Sequence, residues 1–356
     1  MDARMWHTQA TARPDVPALP RPLRTVDAAG ESHEGDRQAL RSALSALALP
    51  SHRAASLERS LSRTVARNDR RPAGAKSVIS VTAPFTAGKS TLVKAWAQAA
   101  YRDLIGTDDA DARPTWQPSP GVRADWVPHV YITLRSNSKI KDLNASILAY
   151  LGYPSEGLLR VTTTRVVRVL KTHGVRLLII DDIHMLDTRH ADQRDVLDYL
   201  KFLNTELGEL GGTLLVVGAN LDRSPIHLDP QIAGRLDRHH LHPYEISTSK
   251  GRREWQTFLK AAEELLLPYL PNCRQDTFSR EHAGYIWRRT QGFVGDTATL
   301  LSGALLNAVD AGADSITRAD LDSVSLSARA HAAEADLVAA ASARAHDRDR
   351  DQVVTA

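Results

Sequence analysis

Residues 81–93 read VTAPFTAGKSTLV, and the order of residue types in this stretch decides the fold. An aliphatic, β-branched run from Ser77 to Thr82 predicts a buried strand, and from Lys89 apolar residues recur at helical spacing as far as Tyr101. Between them Ala83, Pro84, Phe85, Thr86, Ala87, Gly88, Lys89 and Ser90 match the phosphate-loop pattern G-x-x-x-x-G-K-[ST], with Ala83 in place of the first glycine. Alanine is compatible with that place provided its φ is negative. Phosphate oxygens need donors converging from one side. The loop and the helix N-terminus supply backbone N–H groups, Lys89 adds a positive charge, and Ser90 offers a hydroxyl to Mg²⁺. The predicted nucleotide-binding set is therefore residues 83–90 with Thr91, and the implied ligands are ATP and Mg²⁺. The competing reading is an ordinary strand-to-helix turn with an exposed lysine, which the second motif disfavours.

That second motif is Leu177, Leu178, Ile179, Ile180, Asp181, Asp182: an uninterrupted aliphatic run closed by two acids. Both faces of such a strand are buried, as in a parallel sheet. Asp181 suits the orientation of Mg²⁺, and Asp182 suits polarisation of the attacking water, although its side chain is shorter than the glutamate common at that place. His184 comes soon after and is read as a hydrogen-bonded structural residue.

Further strands are predicted at His129–Leu134 and Thr213–Gly218, and helices at Lys141–Leu151, Thr163–Thr172 and Gln193–Leu210. Alternation of this kind predicts an α/β P-loop NTPase with a parallel sheet flanked by helices. The loop-like stretch Gly106–Asp125 is read as a surface loop. Residues 1–35 hold Pro14, Pro17, Pro20 and Pro22 and are read as a flexible arm. Leucines at helical spacing predict a helical N-terminal extension over 36–72, ahead of an ATPase core at 73–243. Helical patterns then dominate, predicting a small helical lid at 244–328 and an Ala-rich helix and tail at 329–356.

Composition bounds the class. The 42% of hydrophobic residues suffices for a core, and 45 Lys and Arg against 42 Asp and Glu give +3, so any nucleic-acid surface must come from local clustering. The single cysteine, Cys273, excludes an internal disulfide. With no apolar run approaching about 20 residues, a cytoplasmic protein with no membrane partner is expected.

Taken together, VTAPFTAGKSTLV (81–93), VRLLIIDDIHML (175–186), YLKFLNTELGELGGTLLVVGAN (199–220) and DPQIAGRLDRHHLHPY (229–244) resemble the AAA+ ATPases, and among them the TniB, TnsC and MuB group of transposition ATPases, over roughly residues 77–300. The resemblance implies ATP hydrolysis and places Asn220 near the sensor-1 position, where a polar group senses the γ-phosphate. It implies that Arg235, with Arg238 as substitute, is an arginine finger acting on a neighbouring protomer, hence a homo-oligomer, as a ring or helical filament. Gly292, Phe293, Val294, Gly295, Asp296 lacks the arginine that many AAA+ lids direct at the nucleotide. Relatives that coat duplex DNA use basic and polar residues after the second strand, where Arg135, Ser138, Lys139 and Lys141 stand here. The function expected is an ATP-dependent DNA-binding ATPase that oligomerises on duplex DNA and recruits or activates a transposase. The alternatives are a nucleotide-switched signalling ATPase acting on a protein partner and an origin-recognition or helicase-loading ATPase; a winged-helix domain after the lid would favour the last.

Overall fold

The computed structural model describes residues 1–12, 23, 34–45, 49–85, 87–106, 113–186, 193–270, 272 and 274–354. The chain divides into two compact units, one of Met1–Pro14 with Arg53–Leu241 and one of Asp15–His52 with His242–Ala356.

The first unit is built on the aliphatic runs. Its elements in chain order are α1 (Ala3–Thr11), α3 (His52–Arg70), β1 (Val78–Ala83), α4 (Lys89–Ile105), β2 (Thr115–Ser119), β3 (Val122–Asp125), β4 (His129–Thr133), α5 (Ile140–Tyr150), α6 (Leu159–Thr172), β5 (Leu177–Asp181), α7 (Gln193–Glu209), β6 (Thr213–Ala219), α8 (Pro225–Leu228), α9 (Pro230–Ala233) and β7 (Leu236–His240); α2 (Glu34–Ser45) belongs to the other unit. Five strands form one parallel sheet in the order β4-β5-β6-β1-β7. Every residue of β1, β5 and β6 is buried, because helices cover both faces and no alternation is needed. The order inserts β6 between the strand that leads to the phosphate loop and the strand that ends in the acids.

Several expectations are corrected. The arm predicted over 1–35 begins with α1: Asp2 caps it by accepting from the Met5 N–H at 2.8 Å. Trp6, fully buried, stacks on Tyr131 with ring centroids 5.5 Å apart, and His7 Nδ1 lies 3.0 Å from the Tyr101 hydroxyl. Aromatic burial of this kind offsets part of the ordering cost of a nine-residue helix. Pro14, Pro17, Pro20 and Pro22 lie outside the described residues, as does Cys273. The loop expected over 106–125 contains the antiparallel hairpin β2–β3, anchored by Trp116 Nε1 donating to the Thr172 carbonyl at 2.9 Å. β7, whose LDRHH carries no strand pattern, is an edge strand paired only with β1. The extension predicted over 36–72 is two helices, but they are not one module: α3 belongs to the first unit and α2 to the second.

The second unit is helical: α2, α10 (Ser249–Leu266), α11 (Ala283–Thr290), α12 (Val294–Asp310), α13 (Arg318–Asp322) and α14 (Ala328–Val354). Its core holds Leu40 and Leu44 of α2 with Trp255, Phe258, Ile286, Leu301 and Ala330. Tyr244 stacks on Phe258 at 4.9 Å, and the Tyr244 carbonyl comes so close to Gly292 (φ +75°) that a Cβ there would lie 2.0 Å from it. The start of α14, expected to be a separate tail helix, is part of this unit. Ala330 is buried, Arg329 pairs with Asp296 and covers the Phe293 ring at 3.7 Å, and Glu334 pairs with the buried Arg289 at 2.9 Å. Among the described residues no helix is long and apolar enough to cross a membrane.

Candidate nucleotide site

Parallel strands bring their C-terminal ends to one edge of the sheet, and there the two motifs meet. Ala83 closes β1 without a positive φ, so the missing glycine costs nothing. Gly88, at φ +79°, turns the chain into α4 and provides no side-chain cap, leaving the first-turn N–H groups for a ligand. Lys89 is 7% exposed, with no carboxylate in reach among the described residues; its Nζ stands 5.6 Å from the centroid of the Phe85 ring. A buried ammonium without an anion is costly and marks the place of one. Thr86 lies outside the described residues, Pro84 and Ala87 are half-buried, and Thr91 is exposed one residue beyond Ser90.

Ser90 Oγ donates to Asp181 Oδ1 at 3.1 Å, although the two residues are separated by most of a domain in sequence and by β6 in the sheet. Giving its proton to Asp181 leaves the Ser90 oxygen lone pairs for a cation. The Asp182 N–H also donates to Asp181 Oδ1, at 2.8 Å, and the Tyr131 hydroxyl donates to Oδ2 at 2.6 Å. Burial and the two neighbouring carboxylates push the Tyr131 phenol far above its ordinary range, so it remains a donor. Tyr131 was not among the residues the motifs single out. Its signal was a tyrosine between Val130 and Ile132 in a largely buried strand, whose hydroxyl must find a partner. With a bare cationic lysine, uncapped helix N–H groups and a serine–carboxylate pair, the residues present fit a magnesium triphosphate.

Asp182 turns out of the strand at φ +53°, half-exposed, with Oδ1 4.0 Å from His184 Nδ1. The Ala219 N–H donates to that same Nδ1 at 3.2 Å, and the His184 ring meets Phe85 edge-on at 5.6 Å. Burial, helped by Lys89 and opposed by Asp182, holds His184 below the usual imidazole range. Asn220 comes directly after β6 at φ +50°, exposed, its N–H donating to the Ala83 carbonyl at 3.3 Å, so it joins the end of β6 to the start of the phosphate loop.

Other predicted residues lie apart from this group. Arg235 stands just before β7, its carbonyl accepting from the Val78 N–H at 2.9 Å. That is the opposite end of β1, roughly 20 Å from the phosphate loop of the same chain at the strand rise of about 3.3 Å per residue. It is exposed, without an ion-pair partner among the described residues, whereas Arg238 donates to the His227 carbonyl at 3.0 Å. Asp229 caps α9 by accepting from the N–H groups of Gln231 and Ile232, and Lys201 of α7 holds Asp229 at 2.9 Å, which fixes the turn carrying Arg235. Arg135, Lys139 and Lys141 are exposed after β4, at the same sheet edge as the phosphate loop. Ser138 is corrected: it is 5% exposed, donates to the Arg135 carbonyl at 2.7 Å and accepts from the Arg135 N–H, so it shapes the loop instead of presenting a contact.

A family profile described as the bacterial TniB protein matches residues 52–246, more than half of the chain. The chain belongs to the TniB family. The matched span contains all of β1 to β7 and every site residue named above. No curated protein sequence matches this TniB-family chain. Among solved structures it is similar to Cdc6p from Pyrobaculum aerophilum, with 18% identity, TM-score 0.51, and coverage of 77% of this chain and 66% of that one. The ORC2 protein of Aeropyrum pernix is 18% identical at TM-score 0.48, covering 76% and 66%. Drosophila ORC bound to DNA is 12% identical at TM-score 0.47, covering 90% and 64%. The chain thus spans 66% of the length of each archaeal structure, and the likeness to Cdc6p speaks for the AAA+ fold alone.

Proposed function

We propose that this TniB-family chain is a DNA-associated ATPase that assembles on duplex DNA when it holds ATP and recruits or activates a transposase, hydrolysis resetting the assembly. The observation that carries the reading is the contact of Ser90 with Asp181 beside the buried Lys89, which meets no anion among the described residues. Lys89 and the first-turn N–H groups of α4 bind the phosphates, and Ser90 with Asp181 holds Mg²⁺, which supplies neutralisation of charge on the transferred phosphoryl group. Asp182 accepts the proton of the attacking water. Arg235 is too far from its own loop to serve it, and so completes the charge neutralisation for a neighbouring protomer; self-assembly and turnover are thereby linked. Arg135, Lys139 and Lys141 repeat once per protomer along the phosphate backbone, giving salt-sensitive, nearly sequence-blind binding.

Electron microscopy of the full chain with linear duplex DNA and ADP, ATP or a slowly hydrolysed analogue tests this. Filaments or rings on DNA with the triphosphates and not with ADP are expected, and Asp182→Asn should retain ATP and prolong the assembled state. Monomers indifferent to DNA and nucleotide would overturn it.

A further inference from the structure

One side chain at the candidate nucleotide site has a hydrogen-bonding capacity that no described residue uses. His184 lies in the single turn Ile183–Met185 at the end of β5. Because Ala219 N–H donates to Nδ1, that nitrogen carries a lone pair. Burial keeps the ring neutral, so its one proton sits on Nε2. That Nε2 is buried and has no partner among the described residues. A buried donor left unsatisfied is expensive, and in a native structure it calls for an explanation.

The neighbours supply one. The ring is covered edge-on by Phe85, a residue of the phosphate loop that is itself 55% exposed. The Lys89 ammonium also lies beside that phenyl ring, 5.6 Å from its centroid. Among the described residues His184 is thus a donor without an acceptor and Lys89 a cation without an anion, both beside one aromatic ring. A terminal phosphate, with several oxygens, satisfies both.

We propose that His184 reads the terminal phosphate: its Nε2–H donates to the γ-phosphate of the nucleotide held by Lys89, with Phe85 as the cover that yields when a triphosphate enters. The inference rests on the nucleotide reading given above. The other ring nitrogen is tied to Ala219, beside Asn220, so the same imidazole passes the presence of that phosphate to the end of β6.

Two variants separate the nitrogens. His184→Asn places an oxygen where Nδ1 accepts from Ala219 and leaves nothing at Nε2; His184→Gln places an N–H near Nε2 and gives up the Ala219 bond. In calorimetric titration of the full chain with Mg²⁺ and either ADP or a slowly hydrolysed ATP analogue, His184→Asn should bind ADP as the wild type does and lose about 10-fold or more for the analogue. His184→Gln should keep the preference for the triphosphate. A purely structural histidine predicts the reverse, with Asn silent and Gln damaging, and that result overturns the proposal. In the wild-type chain with ¹⁵N-labelled histidine, the His184 Nε2–H resonance should move downfield with the analogue and not with ADP; a resonance that ignores the analogue overturns it even where a variant fails to fold. A wild type that binds neither nucleotide overturns the nucleotide reading itself, an outcome distinct from both.

Discussion

His129 shows how a single buried side chain sets a property of the whole chain. It is 4% exposed on β4, Nδ1 lies 3.1 Å from the Ala97 carbonyl, and burial lowers its pKa to about 4. In the unfolded chain it titrates near 6.5, so below that pH the unfolded state takes up a proton that the native state refuses. The stabilisation is complete above pH 6.5 and is lost as pH falls toward 4, at about 1.4 kcal/mol per unit and about 3 kcal/mol in all. His184, His227 and His239 are held low by burial as well and act with the same sign. Urea unfolding of the wild type and of His129→Asn, which keeps a donor for Ala97, should therefore give a shallower decline for the variant between pH 6.5 and 4. Parallel declines would show that His129 is protonated in the native state. At this scale the sequence is legible where chemistry is contiguous: Lys89, Ser90, Asp181 and Asp182 could be nominated because each motif lies in one short stretch, and Ser90 does meet Asp181 in the structure. Tyr131 and His184 find their partners, Asp181 and Ala219, some tens of residues away, and no local pattern marks them.

Among elements, α1 is the one whose removal from the expected arm matters most. Trp6 packs on Tyr131, Tyr131 holds Asp181, and Asp181 holds Ser90, so a helix far from the motifs backs the carboxylate proposed to hold Mg²⁺. Trp6→Ala should cost about 3–5 kcal/mol, as emptying a buried aromatic site usually does. Met5→Ala, at a position 50% exposed on the same helix, should stay within about 0.5 kcal/mol. Thermal unfolding of the two variants side by side checks this, and equal midpoints would detach α1 from the core. Nine residues are too few to carry a periodicity of their own, which is why Trp6 and Ala10 were not read as a buried face. β7 was hidden for a different reason. As an edge strand it is only partly buried, and its side chains are held by polar partners, Asp237 by Thr64 and Arg67, and His239 by Asp237. β1, β5 and β6, enclosed on both faces, announce themselves as aliphatic runs.

On the scale of the molecule, α2 and α3 share one leucine spacing yet belong to different units, because amphipathicity says that a face is buried and not what buries it. The same limit applies to Arg235: the role proposed for it depends on a surface that only a second copy can supply. If the finger acts in trans, a complete site draws its loop and acids from one protomer and its arginine from the next. Asp182→Asn keeps ATP and an intact Arg235 but spoils its own acid, and Arg235→Ala keeps its own site but offers no finger. Each alone should release phosphate at a small fraction of the wild-type rate on DNA. An equimolar mixture at constant total protein should recover about a quarter of it, since half the sites have intact acids and half of those face an intact arginine. Arg238→Ala, whose guanidinium is bound to the His227 carbonyl within its own protomer, should leave turnover close to wild type. A mixture no faster than the mean of its two components would place Arg235 outside the site, and loss of turnover in Arg238→Ala alone would transfer the role to that residue.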